Sequence, residues 1–258
     1  MSTATLPATI DIASTPKIPL SRLVVVELRK MADTRAGKWL LIAIGLITAA
    51  IVVIFLLTAK THDKTFFNFM GATATPQGFL LPVLGILLVT SEWSQRTALV
   101  TFTIMPVRGR VLLAKVLAAV IAGLAAIVLA MGIAALATLV GGAPHPWGGF
   151  GLDDVGKFTL LQLSNTLQGL AFGLLLLNSA AAIVLYFVIP IAFSILTTLI
   201  HSLHKIQPWV DLGTSQPHLY SGMPMSGREW AQVAVGSLIW IVVPFVLGLV
   251  RVLRAEVK

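Results

Sequence analysis

Long apolar runs alternate with short polar joints along this chain. The first run, 39–58, is about 30 Å long as a helix, the thickness of a bilayer's hydrocarbon core. A second run is weaker: 78–90 is too short to cross, so the span begins near Pro76 or earlier, over about 76–91, with Pro82 expected to kink it. The third, 111–140, is over-long and implies a start outside the membrane or a strong tilt. Runs over 158–177 and 180–200 are parted only by Asn178 and Ser179, which predicts a tight helical hairpin, and the last run covers 230–250. The pattern predicts an all-α polytopic membrane protein with six transmembrane helices in a single domain over 19–258.

The joints carry their own patterns. Residues 1–18, with Pro7 and Pro16, Pro19 just beyond, and no apolar stretch of signal-peptide type, read as a disordered cytoplasmic tail, and the first span is expected to stay as an anchor. Residues 20–35 follow a helical period: Leu20, Val24 and Met31 share one face, and Arg22, Arg29, Lys30 and Asp33 share the other. Such a helix lies along the membrane surface. Glu27 projects from its apolar side and needs a partner, either Lys30 one turn on or a group elsewhere. The joint over 92–110 mixes charge with an apolar patch. The segment 201–229 is rich in Pro, Gly, Ser and His, too apolar for a free loop and too broken for a span, and predicts short helices re-entering the outer leaflet.

Composition agrees with lipid as the solvent: 57% of the 258 residues are hydrophobic and 11% are charged, against about 25% charged in soluble domains. The net charge of +8 comes from basic residues clustered beside the apolar runs, where they face anionic headgroups; no basic stripe carries interleaved aromatics, so nucleic acid is not expected. With both termini inside, 13 of the 18 Lys and Arg fall on cytoplasmic segments, which is the expected orientation. Trp39, Trp93, Trp147, Trp209 and Trp230 fall near the expected span ends, as an aromatic belt would. The absence of cysteine removes disulfides, thiolate metal sites and a cysteine nucleophile.

Little in the chain reads as catalytic. Gly151 to Phe158 superficially matches a phosphate-binding loop, but Phe158 stands where a magnesium-binding hydroxyl is needed, and Asp153 and Asp154 would repel phosphate. His201 and His204 lie one turn apart, with His218 nearby; they are weak candidates for metal, and no metal site is assigned. Gln162, Asn165, Gly169 and Gly173 fall on one stripe of the fourth span, with Gln168 alongside. These residues serve either close helix packing or a substrate path. No span core is expected to hold an acidic or basic residue, since Glu92 and Lys115 fall at or beyond the ends. That speaks against a carrier driven by its own ion coupling.

At 92–110 the chain resembles the permease subunits of ABC-2-type bacterial ABC exporters. Glu92, Thr97, Pro106, Arg108, Arg110 and Lys115 match that family's motif loop between spans two and three; Arg96 stands where the family often has Gly. The Glu27 to Met31 segment looks like the family's pre-span helix, and the resemblance covers roughly 20–255. It implies that 92–110 is a coupling helix docking on a separate ATPase, with Leu99 and Phe102 supplying apolar burial and Arg96, Arg108 and Arg110 supplying charge; lipid anchoring is the alternative role for these arginines. It further implies that ATP and magnesium are bound by the partner ATPase dimer and not by this chain. A second permease copy or paralogue completes the assembly in the bacterial inner membrane, exporting an apolar or amphipathic substrate. A stand-alone carrier or channel is the alternative, and an intramembrane enzyme using the histidines a more distant one.

Overall fold

The computed structural model describes residues 18–254 apart from Arg96 and Pro106. The tail expected over 1–18 therefore lies almost wholly outside the described residues, as do Arg96 and Pro106 of the motif loop. No strand occurs among the described residues.

Helix α1 (Leu20–Asp33) follows the extended Pro19 and stops at the extended Thr34, where α2 (Arg35–Thr58) begins. Thr34 makes this one-residue elbow by accepting the Gly37 N–H on its hydroxyl at 3.2 Å. Gly37 is required there, because a Cβ would press on the Met31 carbonyl oxygen. Helix α1 buries Val24, Glu27 and Met31, so the apolar face expected from its period is the packed one, with Glu27 on it.

Helix α3 (Phe66–Ser94) begins ten residues before the expected 76, capped by Thr65. The polar residues that made this stretch look unlike a span, including Thr73 and Gln77, are buried between helices. Both Pro76 and Pro82 lie inside it. The motif joint is itself largely helical: α3 runs on through Glu92, α4 spans Ala98–Ile104, and α5 (Arg108–Gly141) starts directly after. At 34 residues α5 exceeds a bilayer's hydrocarbon thickness, as its apolar run implied.

Helices α6 (Leu152–Leu176) and α7 (Ser179–Leu199) form the expected hairpin, turned by Leu177 in the left-handed region (φ 53°) and by Asn178, whose side chain accepts the Ala181 N–H at 3.0 Å. The segment 201–226 holds short helices, as its composition suggested, among them α8 (Gln207–Val210) and α9 (Leu212–Ser215). Helix α10 (Gly227–Ser237) passes through one π turn (Leu238–Val242) into α11 (Val243–Arg254). Within that turn the Trp240 indole N–H donates to the Val210 carbonyl at 2.5 Å, fastening α8 to the last long helix.

Among the described residues, five stretches are long and apolar enough to cross a membrane: Arg35–Thr58, Phe66–Ser94, Arg108–Gly141, Ser179–Thr197 and Gly227–Arg254. These support a membrane protein. Helix α6 is long enough but is not among the five; it is the interior post of the bundle, burying 15 of its 25 residues where α2 buries 4 of 24. It lies between α3, α5, α7 and α11. Gly169 and Gly173 let it approach α3, because a Cβ at Gly169 would strike the Pro82 backbone and one at Gly173 would lie 3.1 Å from Ile86.

Candidate functional site

The end of the bundle carrying α1 and α4 holds a closed ring of charge. Glu27 projects from the buried face of α1, Glu92 from the last turn of α3, and Lys115 from the second turn of α5. The Lys115 ammonium donates to Glu27 Oε2 at 2.7 Å and to the Leu88 carbonyl at 3.0 Å, and lies 3.2 Å from Glu92 Oε1. Lys30 closes the ring, donating to Glu27 Oε1 at 2.9 Å and Glu92 Oε1 at 2.7 Å. Two carboxylates and two ammonium groups balance, and Glu27, Glu92 and Lys115 are each buried to 5% exposure or less.

Isolated charges buried this deeply would cost several kcal/mol each, roughly, so the ring is stable only because every member is paired. Burial works against the Lys30 charge, but its hydrogen bonds to Glu92 and Glu27 outweigh that and hold the ammonium above the usual lysine value of 10.5.

The ring revises two expectations. Glu27 has both candidate partners at once, Lys30 and a residue elsewhere. Lys115 lies in the second turn of α5, buried at the charged end of the bundle, and Lys30 is turned from the solvent face of α1 toward the ring. A second charged residue is also drawn inward: Lys157 of α6, 3% exposed, sits 2.5 Å from Asp153 and donates to the Met223 carbonyl at 3.1 Å. An apolar run hid Lys115, for which a lone Lys inside such a run is the available signal, and Lys157 lies just before the run that begins at 158.

Helix α4 projects from this charged end. Its Leu99 and Val100 are about half exposed, and Thr97 is exposed. Phe102 instead packs inward on Trp93, ring centroids 6.3 Å apart. The Arg108 guanidinium lies 5.0 Å above the Phe102 ring and donates to the Val252 carbonyl at 2.8 Å, and Arg110 donates to the Ile18 carbonyl at 2.6 Å. These two arginines join the start of α5 to the last helix and to Ile18, two residues before α1. Arg22 and Arg29 are exposed and have no acidic partner among the described residues.

The amide stripe of α6 divides in two. Gln162 is 1% exposed and donates to Gln77 of α3, which donates on to the Ala126 carbonyl of α5 at 3.3 Å. Gln162, Gly169 and Gly173 therefore serve helix packing, and Gln77 is the partner that sequence reasoning missed. Asn165 and Gln168, also buried, line a cavity of about 400 Å³ between α3, α6, α7 and the segment around α9. Tyr186, Phe187 and Gln216 complete its polar and aromatic wall, and among the described residues no acidic or basic one lines it. The buried Gln216 Nε2 has no hydrogen-bond partner among the described residues.

The histidine segment does not assemble a centre. His218 lies 3.2 Å from Glu229 Oε1, and no three His, Asp or Glu side chains converge among the described residues. The His201 side chain is outside the described residues. At Gly151 to Phe158 the chain makes a helix start, where Asp154 accepts the Gly151 N–H at 2.9 Å.

Compared with known proteins, the chain matches no protein-family model and no curated protein.

Proposed function

We propose that this chain is the membrane-spanning permease subunit of an ABC-2-type exporter in a bacterial cytoplasmic membrane, with six spans and both termini in the cytoplasm. Its partners in this reading are a separate ATPase dimer, which binds ATP and magnesium, and a second copy or paralogue of the permease. The observation that carries the reading is the rigid junction formed by the Glu27, Lys30, Glu92 and Lys115 ring, from which α4 projects with Leu99 and Val100 uncovered. A soluble partner pushing on α4 would move α1, α3 and α5 as one body. This is the geometry that transmission from an external motor requires.

The path of the chain supports the sixth crossing. Arg110 meets Ile18 and Arg108 meets Val252, so both ends of the described chain lie at one end of the bundle. An odd number of crossings would separate them, and α6 supplies the even count. Its amides face neighbouring helices and a cavity, so lipid need not solvate them. The uncharged cavity at Asn165 and Gln168 suits an apolar or amphipathic substrate carrying a few hydrogen-bonding groups.

The buried Lys115 is the one feature favouring a stand-alone carrier, since such carriers keep ionisable groups inside the membrane. Its complete pairing and its place at the end of the bundle weigh toward a structural junction. The deciding experiment is co-purification with an ATPase encoded beside it. Leu99→Asp and Val100→Asp, at exposed positions, should abolish association and substrate-stimulated hydrolysis while leaving the melting temperature unchanged. Full retention of both, or transport by the purified chain in liposomes without ATP, would reject the proposal.

A further inference from the structure

A second cavity, about 480 Å³, lies at the elbow between α1 and α2, against α3 and the start of α7. One face of α3 forms its wall. Leu84, Leu87 and Leu88 line one part, and Ser91, Ser94 and Gln95 continue the same face toward the helix end. The wall thus changes from apolar to hydrogen-bonding over about 15 Å of helix.

The polar end is also the positive end. Arg35 lines it, is exposed, and has no acidic partner among the described residues. The first turn of α2, Arg35 to Gly37, adds the positive end of a 24-residue helix. Lys30, whose side chain is 38% exposed, lines the same space, but its ammonium is already held by Glu27 and Glu92, so the uncompensated charge at this end is that of Arg35. Among the described residues no carboxylate lines the cavity.

We propose that this cavity is a binding site for one anionic phospholipid of the leaflet in which α1 lies. The phosphate would sit by Arg35 and the first turn of α2, the glycerol region by Ser91 and Ser94, and the upper acyl chain along Leu84 and Leu87. A free phosphate would leave the leucines facing water, and a zwitterionic or neutral lipid would leave Arg35 without a matching net charge. The site stands on the reading of the chain as a membrane protein and is independent of whether it exports anything. Because Lys30 belongs to the charge ring, an occupied site would brace the junction between α1 and α3.

Native mass spectrometry of the full chain in detergent tests this, with phosphatidylglycerol, phosphatidylcholine and soluble glycerol phosphate as probes. One phosphatidylglycerol should bind per chain about fivefold or more tightly than phosphatidylcholine, with glycerol phosphate unretained. Arg35→Gln and Leu87→Trp should each weaken phosphatidylglycerol about fivefold, whereas Arg22→Gln, on the same surface outside this cavity, should not. Arg35 is exposed, so its variant reports even if the cavity-filling Leu87→Trp fails to fold. Equal retention of the two lipids, equal loss in Arg22→Gln and Arg35→Gln, or no loss in Arg35→Gln would overturn the site. Glycerol phosphate binding as tightly as phosphatidylglycerol would overturn the lipid assignment.

Discussion

Lys115 reaches from the second turn of α5 to Glu27 of α1, with 2.7 Å between its ammonium nitrogen and Glu27 Oε2. The two residues are 88 positions apart in sequence, and both are nearly excluded from the surface. A surface helix would ordinarily be held by its apolar face and by headgroups. Here it is bolted to the bundle by a buried ion pair that Glu92 and Lys30 complete.

Lys115→Met should therefore strand two carboxylates that no other buried cation can fully neutralise. We expect a loss of about 3–5 kcal/mol in the stability of the folded chain. The double variant Glu27→Gln/Lys115→Met should be less damaged than the sum of its single variants. Thermal melts or denaturant titration in detergent provide the double-mutant cycle, and simple additivity would show that the pair does not act as a unit.

The ring should also set an alkaline limit. The Lys30 pKa is raised on folding, so its contribution is fully present below the ordinary value of 10.5 and is lost as pH rises through the higher folded value. Undocking of α1, followed by protease access to the Thr34 elbow, should be flat across neutral pH and appear only above about 10.5. Lys30→Met should remove this alkaline step. An undocking step near pH 7 would contradict the assignment.

Close approach of α6 to α3 depends on Gly169. Gly169→Val should cost about 1–3 kcal/mol or more, since its side chain would meet the Pro82 backbone rather than a flexible neighbour. Gly45→Ala and Gly132→Ala, where nothing lies within 4 Å of an added Cβ, should fall within about 1 kcal/mol of the parent, on the stabilising side. Melting temperatures compare the three, and equal effects would deny the tight contact.

The two groups of amides on α6 should separate experimentally. Gln162→Leu leaves Gln77 without its partner and should cost about 1–3 kcal/mol. Asn165→Leu and Gln168→Leu, whose amides have no hydrogen-bond partner among the described residues, should be close to neutral in stability while changing ligand binding or transport. Equal destabilisation at all three positions would assign the whole stripe to packing.

Hydrophobic runs of bilayer length and local period determined the all-α class, the amphipathic face of α1 and the α6–α7 hairpin, because each depends on local period and on the mismatch between apolar surface and water. The α3 boundary was out of reach by the same logic. Its N-terminal part, through Gln77, looks too polar to cross until Thr73 and Gln77 are seen buried against other helices. The division of the α6 stripe was equally hidden, since Gln162 and Asn165 lie on one stripe and differ only in what faces them. Sequence alone thus determined which segments seek lipid and that Glu27 needed a partner. Tertiary structure decided that Lys115 and Glu92 join Lys30 in supplying it, because pairing of buried charge depends on distances across helices that no local pattern encodes.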